Sequence, residues 1–267
     1  MQCVIAAIVF VGGSNPEQMV GKGTVRQVGL ARALSKAGYC SRSQARGLIA
    51  DGRVRVNGRL VRDPEKTVVV GKDSVEVDGS RVRAGEKIYL MLNKPRGMVT
   101  TARDERGRPT VYSLLSEGLT WVAPVGRLDK ASEGLLLLTN DSEWGARIAS
   151  PESHLEKTYH VQIAALADDD LLRRLTSGFE VEGGEFLRVK RAALLRGGKK
   201  NCWLEIVLDE GKNRQIRRLL AALGIEVLRL VRTAIGPLQL RDLAKGKTRP
   251  LTRAERASLF SARSIGE

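Results

Sequence analysis

The sequence predicts an α+β protein with two units: a small N-terminal helix-helix-hairpin, then a larger unit around a mixed sheet. Helical and strand patterns follow one another without regular βαβ alternation, and the polar, charged stretch "DGSRVRAGE" separates two groups of elements. We expect the units at residues 26–78 and 88–254, with a linker at 79–87. An N-terminal extension (1–25), expected to be poorly ordered, and a C-terminal tail (255–267) lie outside both units.

Local signals define the small unit. "LARALSKAGYC" predicts a helix that ends at Gly38, and "SRSQARGLIADG" predicts a second helix with Ser41 and Gln44 at the spacing of a capping box. In "RVRVNGRLV", basic and apolar residues alternate around Asn57 and Gly58, a pair typical of two-residue hairpin turns. These elements together predict the helix-helix-hairpin.

Strand and helix patterns mix irregularly in the large unit. The strand "KIYLML" leads into the turn "NKPRG", and the leucine run at residues 135–138 predicts a strand of the core. The remaining predicted elements are helices near 142–149, 168–177 and 213–223, strands at "KTYHVQI" and "CWLEIVL", and short strands to about Leu240. This order favours an α+β unit over a parallel βαβ sheet.

The composition indicates the cellular compartment in which the protein is expected. A chain of 267 residues can bury a core without disulfides or a metal ion, and its three scattered cysteines indicate a reducing environment. The apolar run at residues 4–11 lacks the preceding basic residues of a secretory signal, and no stretch reaches the roughly 20 apolar residues of a membrane span. We therefore expect a cytoplasmic protein with no membrane partner.

The formal net charge of +15 is typical of proteins that bind RNA or DNA. Aromatic residues make up only 4% of the chain, which argues against a protein that binds single strands mainly by base stacking. Part of the charge is concentrated in the small unit: Arg32 and Lys36 lie four residues apart on its first helix, as do Arg42 and Arg46 on its second. Like charges at this spacing repel unless an anion neutralises them. With Arg53 added, we favour a phosphate-binding surface over a solvated basic face.

Familiar catalytic templates are absent from the sequence, which has no phosphate-binding glycine loop, no H-E-x-x-H and no C-x-x-C. His154 and His160 are its only histidines, so histidine triads and metal sites are disfavoured. In "GRLDKASEGLLLLTND", however, Asp129 lies between Arg127 and Lys130. Nearby positive charge favours an ionised carboxylate, which can act as a nucleophile without a neighbouring base. The alternative is an aspartate that accepts hydrogen bonds in a turn.

The segment "DEGKNRQIRRLLAALG" predicts a helix with an unusual start. Four cations crowd its N-terminal end, where the helix dipole disfavours them. They are Lys212, Arg214, Arg217 and Arg218. RNA phosphates or the carboxylate of Asp129 would offset this cost, and solvation beside neighbouring carboxylates is the alternative.

Tyr159 allows two interpretations. Alternation places it with Val161 and Ile163 on one face of the strand "KTYHVQI", which predicts a core residue. A tyrosine at the edge of a basic cleft can also stack on a base that has turned out of its helix. The spacing alone favours the core.

Several of these segments resemble motifs of one enzyme family, the pseudouridine synthases of the ribosomal small-subunit and large-subunit type (the RsuA/RluB group). "GRLDKASEGLLLLTND" is similar to the family's catalytic-aspartate motif, "YLMLNKPRG" to its first motif and "EGKNRQIRRL" to its final arginine motif. The helix-helix-hairpin resembles the small RNA-binding domain first described in ribosomal protein S-four. The resemblance covers residues 26–254, with Ser132 where threonine is usual.

The resemblance implies a pseudouridine synthase in which Asp129 is the nucleophile, Tyr159 stacks on the target uracil and Arg217 pairs with Asp129. The reaction breaks the C1′–N1 bond of uridine, rotates the base and forms a C1′–C5 bond, so no cofactor, ATP or metal ion is expected. The carboxylate attacks C1′ or C6, or assists a glycal route. The residues expected to bind RNA are Arg32, Lys36, Arg42, Arg46, Arg53, Lys94, Arg127 and Arg214.

We therefore predict a monomeric pseudouridine synthase that acts on ribosomal RNA or a pre-ribosomal particle. "EGKNRQIRRL" followed by "VLRLVRTAIGPLQL" slightly favours the large subunit. One alternative is a non-catalytic RNA-binding ribosome-assembly factor, which would keep the basic face but not depend on Asp129. A tRNA-directed synthase is disfavoured by the leading RNA-binding unit.

Overall fold

The computed structural model describes residues 27–83, 85–102 and 104–261. The predicted extension at 1–25 and the end of the predicted tail, 262–267, lie outside these ranges. The described helices are α1 (Leu30–Lys36), α2 (Arg42–Ala50), α3 (Ser142–Ala149), α4 (Asp169–Ser177), α5 (Gln215–Ala222) and α6 (Arg253–Ser261).

The described strands fall into the same two units. Those of the small unit are β1 (Gln27–Gly29), β2 (Val54–Val56), β3 (Arg59–Val61), β4 (Thr67–Val69), β5 (Val75–Val77) and β6 (Ser80–Arg81). Those of the large unit are β7 (Tyr89–Lys94), β8 (Ala123–Val125), β9 (Glu133–Thr139), β10 (Lys157–Ile163), β11 (Phe179–Val181), β12 (Glu185–Leu187), β13 (Arg191–Gly197), β14 (Cys202–Leu208), β15 (Val227–Ile235), β16 (Leu238–Gln239) and β17 (Thr248–Pro250).

Capping and turn chemistry build the small unit as predicted. The backbone N–H of Gln44 donates to Ser41 Oγ and the backbone N–H of Ser41 donates to Gln44 Oε1, so a capping box starts α2. Asn57 and Gly58 have φ angles of 50° and 77°, which connect β2 to β3 as a tight hairpin. Strands β3, β2, β5 and β6 form one sheet in that order, and β1 pairs with β4.

The predicted linker at 79–87 is wrong at its start. Strand β6 falls inside this stretch and pairs antiparallel with β5. The turn between them is made by Asp78 and Gly79, with φ angles of 50° and 77°, which repeats the geometry of the first hairpin. An Asp-Gly pair is as strong a hairpin signal as Asn-Gly, so the small unit extends past residue 78.

The large unit is organised around a nine-stranded mixed sheet, whose main path runs β13-β14-β10-β15-β9-β7-β17. Neighbours on this path pair antiparallel, except that β15 runs parallel to β9. Strand β8 also pairs with β9, and β16 with β15. The predicted α+β class is therefore confirmed.

The leucine run forms β9 and is buried on both faces. Leu135 and Leu137 belong to one hydrophobic cluster, and Leu136 and Leu138 belong to another. Alternate residues of a strand point to opposite faces, so an unbroken apolar run requires cover on both sides. This rigid central strand begins four residues after Asp129.

The predicted C-terminal tail is also partly wrong, because α6 extends through Ser261 and packs on the core. Leu259 is buried in the same cluster as Leu135, and Phe260 packs against that cluster. An ion pair of 2.6 Å between Arg249 and Glu255 holds the start of this helix to the end of β17. Residues 255–261 therefore belong to the large unit.

The small unit contacts the large unit through the end of α1. The backbone N–H of Trp121 donates to Gly38 O at 3.1 Å, and that of Gly85 donates to Ala37 O at 3.3 Å. Gly38 has a φ of 77°, and a Cβ there would lie 2.7 Å from a methyl group of Thr120. Glycine is needed at this position both for the helix end and for the close approach of the two units.

Candidate active site

Asp129 lies in the loop between β8 and β9, and its backbone is held from several directions. Five successive carbonyl oxygens, from residue 128 to residue 132, each accept a hydrogen bond from outside the loop. The donor–acceptor pairs are Thr100–Leu128 (2.8 Å), Lys94–Asp129 (3.0 Å), Gly97–Lys130 (2.7 Å), Arg217–Ala131 (3.1 Å) and Lys94–Ser132 (2.8 Å). The side chain of Asp129 remains 37% exposed. The loop therefore presents a carboxylate to solvent from a fixed backbone.

Lys94 was predicted to bind RNA, and this prediction is wrong. The residue is 0% exposed, and its Nζ donates to the carbonyls of Pro95, Asp129 and Ser132 at 2.8–3.2 Å. Burial lowers the pKa of Lys94 to about 8, so the ammonium stays protonated at neutral pH. All three of its protons are directed at backbone oxygens, which satisfies the group without an anion. Lys94 positions the Asp129 loop instead of contacting a ligand.

The start of β9 fixes the other end of the loop. Glu133 is 2% exposed and accepts hydrogen bonds from Arg229 at 3.1 Å and from Lys245 at 2.6 Å. Gly134 follows with a φ of 101°, and a Cβ at this position would collide with the backbone of Arg232 on β15. The glycine in "SEGLLLL" is thus required by the close parallel contact of β9 with β15.

The arginine paired with Asp129 differs from the predicted one. Arg217 was expected to pair with Asp129, but it donates hydrogen bonds to the carbonyls of Ala131 and Val227. The guanidinium group that lies near the carboxylate is that of Arg214, with 3.7 Å between its Nη1 and Asp129 Oδ2. Burial, and then the charge of Arg214, lower the pKa of Arg217, while Asp129 acts in the opposite direction. Arg217 therefore contributes positive charge near the carboxylate and directly holds the backbone two residues after it.

Sequence reasoning missed Arg96, although the quoted turn "NKPRG" contains it. Its Nη1 donates to Leu228 O at 3.3 Å, and its positive charge contributes to lowering the pKa of Arg217. With Arg214 and Arg217 it forms what we call the arginine cluster, drawn from three segments of the chain. Arg127 is exposed beside the loop, as an RNA contact requires.

Tyr159 combines the two interpretations that its spacing allowed. It is partly buried on β10 and packs against two hydrophobic clusters, one containing Val161 and the other containing Leu128. Leu128 directly precedes Asp129, so the tyrosine packs beside the base of the loop. It is part of the core boundary and still has an accessible portion that a base could contact.

Cations at the start of α5 are offset mainly by carboxylates. Arg214 pairs with Asp129, Arg218 Nη1 lies 2.6 Å from Glu185, and Lys212 Nζ lies 3.5 Å from Glu185. Of the two anions proposed from the sequence, the structure thus brings Asp129 to this helix end. The unfavourable placement of cations at the N-terminal end of this helix is therefore offset by carboxylates from residues distant in sequence.

We expect Arg217→Ala to lower turnover by about a hundredfold while leaving RNA affinity nearly unchanged, because a small displacement of a reacting group costs far more in rate than in binding. Single-turnover rates and RNA dissociation constants measured in parallel check this. Arg218→Ala is the matched control, since this neighbouring arginine pairs with Glu185 instead of the loop. Equal losses of rate and affinity would make Arg217 a phosphate contact.

The predicted basic face of the small unit is smaller than expected. Lys36 pairs with Glu143 of the large unit at 3.2 Å, Arg46 pairs with Glu65 at 2.7 Å, and Arg53 pairs with Asp78 through two hydrogen bonds. The like-charge pairs on α1 and α2 are thus relieved by carboxylates of the protein. Lys36 in particular joins the two units.

Arg32 and Arg42 remain candidates for the predicted phosphate-binding surface. Both are exposed, and neither forms an ion pair within the part of the chain that the structure describes. They line a groove of about 280 Å³ between the units, whose other wall includes Trp121 and Pro124. The two guanidinium groups in this groove therefore remain available to an anion.

Comparison with known families assigns both units. Residues 28–74 match the S4 domain family, and residues 88–222 match the family of RNA pseudouridylate synthases. These matches define an enzyme that modifies RNA. The chain belongs to the pseudouridine synthases, and its S4 domain places it with the RsuA/RluB group, as the motifs indicated.

Relatives match over nearly their whole length. An uncharacterized RNA pseudouridine synthase of Aquifex aeolicus is 42% identical over 88% of this chain and 95% of its own. Ribosomal large subunit pseudouridine synthase B of Bacillus subtilis is 37% identical over 84% and 91%. A crystal structure of a pseudouridylate synthase superimposes with a TM-score of 0.61 at 31% identity, covering 87% of this chain and 99% of that one.

Family membership favours the enzyme over the non-catalytic assembly factor. The S4 domain and the synthase domain both indicate that the chain binds RNA. None of the described helices combines the length and the hydropathy that a bilayer crossing requires.

Proposed function

We propose that this protein converts a uridine of ribosomal RNA, in the large subunit, to pseudouridine, with Asp129 as the nucleophile. The observation that carries the proposal is the Asp129 loop, whose five held carbonyls fix an exposed carboxylate beside the arginine cluster. The name of the Bacillus subtilis relative supports the choice of subunit. A cytoplasmic location and a monomeric state stay predictions from the sequence.

Each group at the site has a role in this reaction. Asp129 supplies the attacking carboxylate, Arg214 pairs with it, and Arg217 holds the backbone that orients it. Tyr159 supports the uracil ring after the base leaves its stack. The C1′–N1 bond breaks, the uracil rotates, the C1′–C5 bond forms, and the hydrogen on C5 leaves to solvent as N1 gains a proton.

The target uridine must leave its helix before a side chain can reach C1′ or the base, at a cost of a few kcal/mol. Contacts to the surrounding RNA offset this cost. In this proposal, phosphates on both sides of the target uridine are neutralised by arginines. These are Arg127 and Arg214 beside the loop, and Arg32 and Arg42 in the groove between the units. The two units together would then hold an opened RNA segment.

The test of the proposal is tritium release from unmodified ribosomal RNA that carries C5-tritiated uridine. We expect release from large-subunit RNA, supplied naked or as assembly particles, and none from small-subunit RNA. Release only from small-subunit RNA would reassign the subunit. No release from either RNA would overturn the proposed substrate.

We expect Arg42→Ala to lower RNA affinity and to reduce the slope of log K against log salt by about one unit, because one phosphate contact is lost. Arg46→Ala is the matched control on the same helix, since Glu65 already neutralises that arginine and a smaller change in slope should result. Fluorescence anisotropy over a range of salt concentrations measures both. An unchanged slope for Arg42→Ala would remove α2 from the RNA-binding surface.

A further inference from the structure

The central sheet has a second face that carries polar and aromatic side chains. Tyr159 and His160 are consecutive in β10 and therefore point to opposite faces of the sheet. The face of Tyr159 is covered by the cluster that contains Val161, Leu204 and Ile206. On the other face, which we call the back face, register places side chains of β10, β14 and β15 side by side: His160, Gln162, Trp203, Glu205 and Arg229.

Trp203 is the aromatic residue of this back face. It is partly exposed, and two guanidinium groups lie over its ring, with Arg196 Cζ at 5.2 Å and Arg229 Cζ at 5.4 Å from the centroid. The tryptophan borders a groove of about 370 Å³, here called the Trp203 groove. Its lining consists of His160, Leu195, Arg196, Trp203, Arg229 and Val231.

A strongly basic turn adjoins the groove. The β13–β14 hairpin reads "RGGKKN", and Arg196, Lys199 and Lys200 are all exposed. Among the described residues these three cations form no ion pair with a carboxylate. The acidic side chain of Glu205 on this face is already offset, because Arg191 lies 3.5 Å from its carboxylate.

We propose that the Trp203 groove is a second RNA-binding site, which holds an unpaired segment of the RNA substrate apart from the target uridine. A base stacks in the groove beside Trp203, and Arg196, Lys199 and Lys200 neutralise the adjoining phosphates. The inference builds on the proposed function, since it extends the grip on the same RNA to the opposite face of the sheet.

The positive charge around the Trp203 groove favours RNA over a protein as its ligand. An aromatic ring next to arginine planes and exposed lysines is the combination that binds single-stranded nucleic acid without sequence preference. Leu194 and Leu195, 48% and 45% exposed, add apolar area but lie beside three uncompensated cations. An apolar protein surface would have to bury those cations unpaired, whereas phosphates pair with them.

The site is tested by binding of a fluorescein-labelled oligouridylate of about twelve nucleotides, within the usual footprint of single-strand sites, and of a large-subunit RNA transcript. The variant Arg196→Gln/Lys199→Gln/Lys200→Gln is expected to reduce the salt slope by about two units, at about 0.7 per phosphate contact. Trp203→Leu, which keeps the charge, is expected to lower affinity about tenfold at an unchanged slope.

The matched control removes the same charge from other surfaces, with three exposed arginines as targets. They are Arg173, Arg241 and Arg253, each changed to Gln. The hairpin cations are at an exposed turn, so the triple variant tests the site even if Trp203→Leu fails to fold. With saturating RNA, both back-face variants should keep the wild-type kcat and raise KM.

Cross-linking with 4-thiouridine RNA gives a direct readout, and a cross-linked peptide from β13 or β14 is the expected result. Affinities equal to those of the control variant, together with no cross-link in these strands, would overturn the site. If the wild type modifies ribosomal RNA but the back-face variants bind RNA with wild-type affinity, the Trp203 groove is rejected and the proposed function stands. If these variants lose RNA affinity but the wild type modifies neither large-subunit nor small-subunit RNA, the proposed substrate is rejected and the groove stands.

Discussion

Replacing Asp129 with asparagine is expected to lower the rate of pseudouridine formation by roughly four orders of magnitude, the scale of loss when one member of a catalytic unit is removed. Asparagine has the same shape as aspartate but no charge, and an amide cannot form the covalent bond that a carboxylate forms. The five hydrogen bonds that hold the loop involve backbone carbonyls, so the substitution leaves the position of the side chain intact. Single-turnover tritium release measures the rate.

RNA affinity should remain at or above that of the wild type in Asp129→Asn, because a negative charge near the phosphates is removed. Asp170→Asn is the matched control, since this exposed aspartate on α4 pairs at the surface with Arg173. Its rate should equal that of the wild type. A rate for Asp129→Asn within tenfold of the wild type would move the nucleophile to another residue.

Replacing Lys94 with methionine is expected to have the largest effect on stability, at about 2–5 kcal/mol. Methionine fills a similar volume, but the carbonyls of Pro95, Asp129 and Ser132 lose their shared buried donor. Asp129 O keeps the backbone N–H of Ser132 as a donor, so the cost of leaving Ser132 O, the buried acceptor, without Lys94 dominates this figure. Urea denaturation monitored by circular dichroism gives the free energy of unfolding.

The same substitution should also lower turnover of the folded fraction, since Lys94 holds the Asp129 carbonyl itself. Lys130→Met is the matched control, because Lys130 is exposed and its contact to Gly97 uses only the backbone. That variant should stay within about 0.5 kcal/mol of the wild type, as surface substitutions usually do. If Lys94→Met unfolds at the wild-type urea concentration, the ammonium does not hold the loop. If folded Lys94→Met forms pseudouridine at the wild-type rate, Asp129 keeps its position without the lysine ammonium.

Together the two variants separate two requirements of one loop. Asp129→Asn removes the reacting group and keeps its position, whereas Lys94→Met keeps the reacting group and releases its support. A site that depends on a fixed carboxylate should lose activity in both cases, but only the second should also lose stability. Loss of stability in Asp129→Asn would instead indicate that the carboxylate itself contributes to folding, as the turn-aspartate alternative requires.

The sequence by itself determined the elements whose signals are local. Ser41 and Gln44 start α2, Asn57-Gly58 turns the first hairpin, and the leucine run forms β9, because capping, turn and burial preferences act over a few neighbouring residues. The hairpin at Asp78-Gly79, which was overlooked, carried a signal of the same kind. Asp129 could also be singled out, since its charged neighbours and the apolar strand after it are adjacent in the chain.

Only the tertiary structure decided what each cation does. Lys94 looked like an RNA contact, yet it is buried under a loop that begins more than thirty residues later; Lys36 meets Glu143 of the other unit, and Arg214 instead of Arg217 reaches Asp129. The back-face group around Trp203 also forms only when three strands pair. A long basic side chain takes whichever oxygen the folded chain brings near it, and that choice depends on contacts between segments distant in sequence, which no local pattern encodes.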